Sequence, residues 1–124
     1  MIDFKNPVFA KLRPFDEKYF YNIVCPMFTP GEEILCCYQG IRDGIVFTNK
    51  RIISINVQGV TGKKKDCTSL PYSKIQAFSV ESSGVLDNDC ELDLWYSGLG
   101  NVRFEFTKTI NVFEICKLIS ERVL

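Results

Sequence analysis

Short apolar runs separated by turn residues dominate the chain from residue 41 onward and predict antiparallel strands. Asp43-Gly44 and Asn49-Lys50 are both two-residue turn signals, since Asp, Asn and Gly tolerate the backbone angles of tight hairpins. Residues 58–62 predict a looser third turn, because they contain two glycines. Three such connections within residues 41–65 describe a meander, whose apolar face needs more sheet to cover it.

Seven strands follow from this pattern. The last two alternate most regularly, with an apolar residue at every second position, so each is expected to have one buried and one wet face. In the first strand both faces are largely apolar, which indicates that it is covered on both sides. The predicted strands are residues 34–42, 45–48, 51–57, 67–70, 74–81, 90–97 and 102–107.

The C-terminal residues 111–122 predict an amphipathic helix. Asn111 and Glu114 have the spacing of an N-cap and its third helical residue. The apolar stripe is expected to pack on the sheet, and it consists of Val112, Ile115, Cys116, Ile119 and Val123.

Residues 1–30 are predicted to form an N-terminal helical extension, distinct from the domain at 31–124. Pro14 and Pro26 flank an aromatic-rich stretch whose apolar residues recur at helical spacing, so a short helix is expected between them. This segment packs either on its own domain or on a neighbouring subunit, and the sequence leaves both alternatives open.

The length and charge of the chain narrow the functional classes. Its 124 residues suit one domain that can bury a core of its own. With 15 basic and 15 acidic residues it lacks the basic excess of a nucleic-acid-binding protein. No apolar run approaches the roughly 18 residues of a membrane span, and the first residues do not resemble a secretory signal. We therefore expect a cytoplasmic protein.

The six cysteines are expected to be reduced and mostly buried. Histidine is absent from the sequence and no CxxC pair occurs, so the usual metal-binding spacings are missing. The adjacent Cys36 and Cys37 would point to opposite faces of a strand and would chelate poorly. The sequence predicts neither a metal site nor a cofactor. The cysteines are Cys25, Cys36, Cys37, Cys67, Cys90 and Cys116.

Seven antiparallel strands followed by one helix describe the pleckstrin-homology (PH) layout, a mainly β (α+β) fold of strongly bent sheets capped by a C-terminal helix. Four segments resemble the signature of the bacterial PH domain family, and the resemblance covers residues 31–124. It implies a PH-like fold without established enzymatic activity and with ring-like homo-oligomers. The segments are RDGIVFTNKRII at 42–53, QGVTGKK at 58–64, PYSKI at 71–75 and FSVE at 78–81.

Catalysis is not expected from this sequence. Without histidine the commonest general base is missing, and a cysteine nucleophile lacks its usual partner. Asp87 and Asp89 could hold calcium in a loop, but the spacing of an EF-hand with its closing glutamate is not present. We interpret these residues, with Glu91 and Asp93, as a solvated acidic loop and strand face.

Basic residues at the turns offer a second class of function, binding of anionic lipid or phosphate. Arg42 lies at the first turn, Lys50-Arg51 at the second, and Lys63, Lys64 and Lys65 follow the third. A lysine run at a hairpin tip also occurs as a solvated edge that discourages strand aggregation. A contact with another protein is the third interpretation.

The favoured hypothesis is a self-assembling protein-interaction module. Trp95 falls on the polar face of its strand, and a register that pairs Tyr96 with Val102 places it opposite Arg103. Trp and Arg are enriched at interface centres, so this face is a candidate subunit interface. The alternative is that Arg103 only shields a surface tryptophan. The next candidate interface is the N-terminal aromatic group of Phe15, Tyr19 and Phe20.

Overall fold

The computed structural model describes residues 11–84, 89–107 and 109–124. These residues contain eight strands in two antiparallel sheets, ordered β1-β2-β3-β4-β5 and β6-β7-β8, and two α-helices. The seven predicted strands are present, and the eighth is the two-residue β1. The elements are β1 (Arg13–Pro14), α1 (Glu17–Val24), β2 (Ile34–Gln39), β3 (Asp43–Thr48), β4 (Arg51–Gln58), β5 (Lys64–Pro71), β6 (Ile75–Glu81), β7 (Asp89–Tyr96), β8 (Gly100–Thr107) and α2 (Val112–Val123).

The main core lies between the two sheets and beneath α2. Phe47 and Ile52 of the first sheet meet Leu94 and Phe104 of the second in one buried cluster. The predicted stripe of α2 is confirmed, since Val112, Ile115 and Ile119 are buried while Cys116 and Val123 are partly buried. Asn111 caps the helix by accepting a hydrogen bond from the backbone N–H of Phe113. The helix is therefore part of the core.

A second, smaller core lies on the other side of the first sheet, beneath α1. Phe20 and Val24 of α1 are buried together with Cys37, Val46 and Ile53. The N-terminal helix therefore packs on its own domain, which was one of the two alternatives. It also explains why β2 is apolar on both faces: Cys36 packs against the main core and Cys37 against the core under α1.

The first hairpin differs from the prediction at Asp43-Gly44. Both residues lie inside β3, opposite Asn56 and Ile55 of β4, and the connection from β2 is made by residues 40–42. The backbone N–H of Gly40 donates to the carbonyl of Asp43 at 2.8 Å, which closes the turn. The glycine at 44 is needed for another reason, because the ring of Phe20 lies against its Cα.

The third hairpin is longer than predicted. Strand β5 begins at Lys64, where a start near residue 67 was expected, and Lys64 and Lys65 pair with Gln58 and Val57 of β4. Ladder hydrogen bonds do not depend on side-chain polarity, so the lysines extend the strand with their side chains exposed. The second turn at Asn49-Lys50 is confirmed, and the third turn, predicted at residues 58–62, lies at residues 59–63 because Gln58 still belongs to β4.

Candidate interaction surfaces

The outer face of the second sheet carries charged and aromatic residues in rows that run across the strands. Three glutamates form the first row, with Glu81 and Glu105 on either side of Glu91. In the next row Asp93 lies opposite Arg103, and Trp95 occupies the third row. Like charges directly opposite each other repel. Arg103 offsets this repulsion, since it interacts with the carboxylates of Asp93, Glu91 and Glu105.

Arg103 organises this face through ion pairs. Its Nε atom donates to the Oδ1 atom of Asp93 at 2.8 Å, and its Nη1 atom lies 3.7 Å from the Oε2 atom of Glu91. The hydrogen bond to Asp93 raises the pKa of the guanidinium. Burial raises the pKa of Glu91, and repulsion from Glu81 adds to that effect while Arg103 opposes it. Arg103 is thus held in place by charge.

The predicted pairing of Trp95 with Arg103 is wrong by two residues. Tyr96 pairs with Gly100 and Trp95 with Asn101, because Gly98 and Gly100 adopt positive φ angles of 81° and 88° and close a tighter turn. A shift of two residues leaves every side chain on the same face, so alternation could not separate the two registers. Trp95 does lie on the polar face, where 38% of its surface is exposed.

The N-terminal aromatic residues form a second patch. The rings of Phe15, Tyr19 and Phe20 contact each other edge to face, with centroids 5.2–5.9 Å apart. Phe15 and Tyr19 are 38% and 40% exposed, whereas Phe20 is only 2% exposed and belongs to the core. Of the three predicted interface residues, two are accessible to a partner.

The basic residues of the second turn are engaged in the fold. Arg51 makes a two-pronged ion pair with Glu32, with its Nε and Nη2 atoms each 2.9 Å from a carboxylate oxygen, and it donates to the carbonyl of Met27 at 2.7 Å. Lys50 donates its Nζ protons to the carbonyl of Pro30 at 2.6 Å and to the hydroxyl of Thr29. These contacts fasten the segment after α1 to the β3–β4 hairpin.

Glu32 is the acidic centre of this clamp, and none of its side-chain surface is exposed. Burial alone would raise its pKa. Hydrogen bonds from Arg51, the backbone of Thr29 and the hydroxyl of Thr48 outweigh burial and lower the pKa to about 2. The carboxylate is therefore strongly held in its charged form.

The structure brings Arg42 close to the lysine hairpin, at the opposite end of the sheet from Lys50 and Arg51. Arg42 donates from Nη2 to the carbonyl of Gly59, and its own carbonyl accepts from the N–H of Val57. Lys65 donates to the carbonyl of Gly62 at 3.3 Å. Lys63 and Lys64 are exposed, and no ion pair engages them among the residues that the structure describes. The six predicted basic residues thus divide into two groups.

A groove between β2 and α2 was missed by the sequence reasoning. It contains two cavities of about 430 Å³ each that share Cys36, Tyr38 and Glu114. One extends along α2 to Arg122, and the other ends at Phe15, beside β1. No local pattern could reveal it, since it lies between elements far apart in the chain.

The acidic residues that the sequence offered for calcium do not form a metal site in the described part of the chain. Asp87 lies outside the described residues, and Asp89 has its Oδ1 atom 3.9 Å from the Nζ atom of Lys11. Within the described ranges no group of three or more His, Cys, Asp or Glu side chains is placed to hold a metal ion. All six cysteines are free, as predicted, but only Cys37 and Cys90 are buried, while the other four are partly exposed. In that same part of the chain, no helix has the length and apolar character to cross a membrane.

Known proteins resemble this chain over most of its length. The uncharacterized protein YjqA of Bacillus subtilis is 42% identical over 92 residues, which are 73% of this chain and 74% of that protein. A crystal structure of a PH domain protein from Shewanella loihica is 38% identical, with a TM-score of 0.80 over 93% of this chain and 99% of its own. The PH domain from Shewanella amazonensis is 39% identical, with a TM-score of 0.68 over 89% of this chain and 90% of its own.

The family assignment rests on both sequence and fold. The profile of the bacterial PH domain matches residues 4–123, which include most of the N-terminal segment. The division of the chain at residue 30 stays a prediction. Two bent antiparallel sheets with a C-terminal helix are what the PH layout requires, and the solved relatives have that fold. The chain belongs to the bacterial pleckstrin-homology domain family.

Proposed function

We propose that this chain is a non-enzymatic PH-like module that self-assembles into a homo-oligomer and binds protein partners in the cytoplasm. Self-assembly uses the outer face of the sheet formed by β6, β7 and β8. The free thiols of all six cysteines support a reducing compartment.

The observation that carries this proposal is the position of Trp95. It is the only tryptophan of the chain, and it is partly exposed in the central strand of the second sheet. Its strand neighbour Asp93 is paired with Arg103, so one pair of charges beside the ring is already neutralised. Burying a surface whose charges are satisfied costs less than burying free charges. Trp and Arg together are typical of interface centres.

The side chains of this face favour binding over catalysis. The carboxylates of Asp93 and Glu91 are within 4 Å of Arg103, and the chain contains no histidine to act as a base. Charges held in mutual ion pairs are suited to orienting a second surface. A turnover role would need an activated nucleophile or base, and none of these residue types provides one here.

Light scattering on the purified chain tests self-assembly. The monomer mass is 14.2 kDa, and we expect a multiple of it that decreases on dilution. A mass of one chain at every concentration would contradict the proposal. Trp95→Ala and Arg103→Gln test the surface separately.

A second candidate function is binding of an anionic phosphate group, carried by lipid headgroups, at the lysine hairpin. The observation that favours it is the approach of Arg42 to the turn before Lys63 and Lys64, which gathers four basic residues at one end of the sheet when Lys65 is included. Sedimentation with neutral and anionic vesicles tests it. Salt-sensitive pelleting with anionic vesicles, lost in a Lys63/Lys64/Lys65→Glu variant, would support lipid binding over self-assembly alone.

A further inference from the structure

One edge of strand β2 is only partly paired. Its partner on that side is the two-residue strand β1. Arg13 pairs with Gln39 and Pro14 with Tyr38, and β1 ends there. Proline has no N–H to continue the ladder. One further hydrogen bond, from the N–H of Phe15 to the carbonyl of Cys37, precedes the turn into α1. Among the described residues no strand pairs with residues 34–36 on this side.

The open edge forms one wall of the groove between β2 and α2. Leu35 and Cys36 of the open edge line the cavities, and they are followed there by Cys37 and Tyr38, which are hydrogen-bonded to Phe15 and paired with β1, respectively. Successive side chains of a strand point to opposite faces, so a surface that touches all four follows the strand's edge. The facing wall contributes Ile115 and Leu118, which make the middle of the groove apolar. Backbone donors and acceptors thus lie beside an apolar trough.

The end of the groove near β1 is negatively charged and aromatic. Glu17 and Glu114 line it together with the rings of Phe15 and Tyr38, and no lysine or arginine lines this cavity among the residues that the structure describes. Both glutamates are exposed, and neither makes an ion pair with another described residue. Carboxylates beside aromatic rings suit a lysine or arginine side chain, through charge and cation–π contact.

The other end of the groove differs in charge. Two basic residues, Lys117 and Arg122, line it with two acidic residues, Glu121 and Glu114. Arg122 is held in place by donating to the carbonyl of Leu118 at 2.7 Å and by stacking on Tyr72. Positive and negative groups balance there, whereas the charged side chains described at the end near Glu17 are all acidic. The charge pattern therefore gives a bound segment a preferred position for its basic residue.

We propose that this groove binds an extended peptide segment of a partner protein, which adds as a strand to the open edge of β2. A basic side chain of the segment enters the cavity between Glu17 and Glu114, and an apolar side chain lies in the trough against Ile115 and Leu118. The main-chain hydrogen bonds of strand addition provide affinity, and the side-chain cavities provide specificity. This inference names the partner chemistry of the proposed interaction module and does not depend on its self-assembly.

The probe is a set of short, capped, fluorescent peptides in which valine and threonine alternate and a single lysine occupies each position in turn. Binding to the full chain is measured by fluorescence anisotropy at protein concentrations up to about 1 mM, the range of weak peptide contacts. We expect at least one lysine peptide to bind, and its counterpart with glutamate in place of lysine to bind more weakly by about tenfold.

Backbone methylation distinguishes strand addition from contact through side chains alone. A paired strand directs alternate N–H groups toward β2 and the others away from it. N-methylation of one alternate set should abolish binding, while methylation of the other set should leave it nearly unchanged. Equal binding of both methylated peptides would overturn strand addition.

Variants of the protein test the basic cavity. Glu17→Gln and Glu114→Gln remove the charges while keeping the side-chain shape. Each should weaken the lysine peptide by about threefold and should not weaken the glutamate peptide. Glu33→Gln, an exposed glutamate outside the groove, is the matched control. The proposal is overturned if no lysine peptide binds, or if the two groove variants behave as Glu33→Gln does.

Light scattering on the same samples keeps this result separate from self-assembly. Peptide binding by a chain that stays monomeric would contradict the oligomer and leave the groove intact. An oligomer that binds none of the peptides would contradict the groove alone.

Discussion

The ring of Phe20 occupies the space where a side chain on Gly44 would lie. A Cβ atom at residue 44 would be 2.5 Å from the Cε1 atom of that ring and 3.2 Å from the carbonyl oxygen of Tyr38. The helix α1 thus approaches β3 more closely than any residue with a side chain at position 44 allows. Gly44 fixes the distance between the N-terminal helix and the sheet.

Gly44→Ala should therefore destabilise the protein by about 1–3 kcal/mol, the cost of forcing extra atoms into a packed core. The backbone of Gly44 does not adopt a positive φ, so the expected cost comes from the contact with Phe20. Urea unfolding at fixed temperature measures the change.

A second variant isolates that contact. In a Phe20→Leu background the ring is gone, and Gly44→Ala should cost clearly less than it does in the wild type. If the two changes are strictly additive, Phe20 does not contribute to the cost and the approach of α1 is looser than described.

Acid should weaken the clamp between Glu32 and Arg51. The carboxyl titrates near its ordinary value of 4.5 in the unfolded chain and near 2 in the folded chain, so folding favours its charged form. The stabilisation is complete above about pH 4.5 and is lost as the pH falls toward 2. Because Arg51 is partly exposed to solvent, we expect about 2 kcal/mol rather than the full linkage.

The comparison of wild type with Glu32→Gln measures this effect. The difference in unfolding free energy should be large at pH 7 and should shrink at pH 3. Glu33→Gln removes a neighbouring exposed charge and should behave like wild type at both values. A difference that stays constant with pH would exclude Glu32 as the titrating group.

Docking of the C-terminal helix should be visible in single substitutions. Ile115→Ala and Ile119→Ala each remove buried side chains of α2 and should cost about 2–5 kcal/mol. Lys117→Ala changes an exposed position on the same helix and should cost little. Equal, small shifts of the urea midpoint in all three variants would mean that the helix does not dock.

Local patterns identified the strands and α2, because the burial of one face leaves a period of two or 3.6 in the sequence. They could not identify what covers the second face of a strand. In β4 the apolar Ile53 and Ile55 pack under α1, while Ser54 on the opposite face is also fully buried. The period-two pattern of β4 is consistent with one solvent-exposed face. Only the tertiary structure shows that both faces of β4 are buried at these residues.

The candidate sites were harder to predict than the strands. Arg51 and Arg42 look alike in sequence as basic residues at turns, but one is engaged by Glu32 and the other lies beside the lysine hairpin. Their partners are at least 17 positions away along the chain. Contacts of that kind depend on how elements pack, which local spacing does not encode.

The thiols should titrate in two classes. All six should react in denaturant without reductant, since none forms a disulfide. Without denaturant, Cys37 and Cys90 should be protected because they are buried. Burial also raises the pKa of Cys37 to about 12, which keeps it in the unreactive thiol form. Alkylation followed by mass spectrometry of peptides identifies the protected residues, and a mass deficit of about two daltons per pair would reveal disulfides instead.

The interface on the second sheet depends most strongly on Trp95. If its exposed surface is buried between copies, Trp95→Ala should weaken association by about 30-fold, as loss of an interface hot spot does. Light scattering over a dilution series should then give a lower mass, with an unchanged circular-dichroism spectrum. Phe113→Ala removes another exposed aromatic ring, on α2, and should not change the mass.

Arg103 needs a gentler change than a reversal of charge, because the observed register places it opposite Asp93, with which it forms an ion pair. Arg103→Glu is still expected to lower the oligomer mass, but it leaves the buried Asp93 without its cation and adds a carboxylate beside Glu91. Arg103→Gln keeps a hydrogen-bond donor for Asp93, so it should lower the mass while preserving the fold. If Trp95→Ala and Arg103→Gln both retain the wild-type mass, the face is not the interface. Phe15 and Tyr19 are then the next residues to replace, since they are exposed and Phe20 is not.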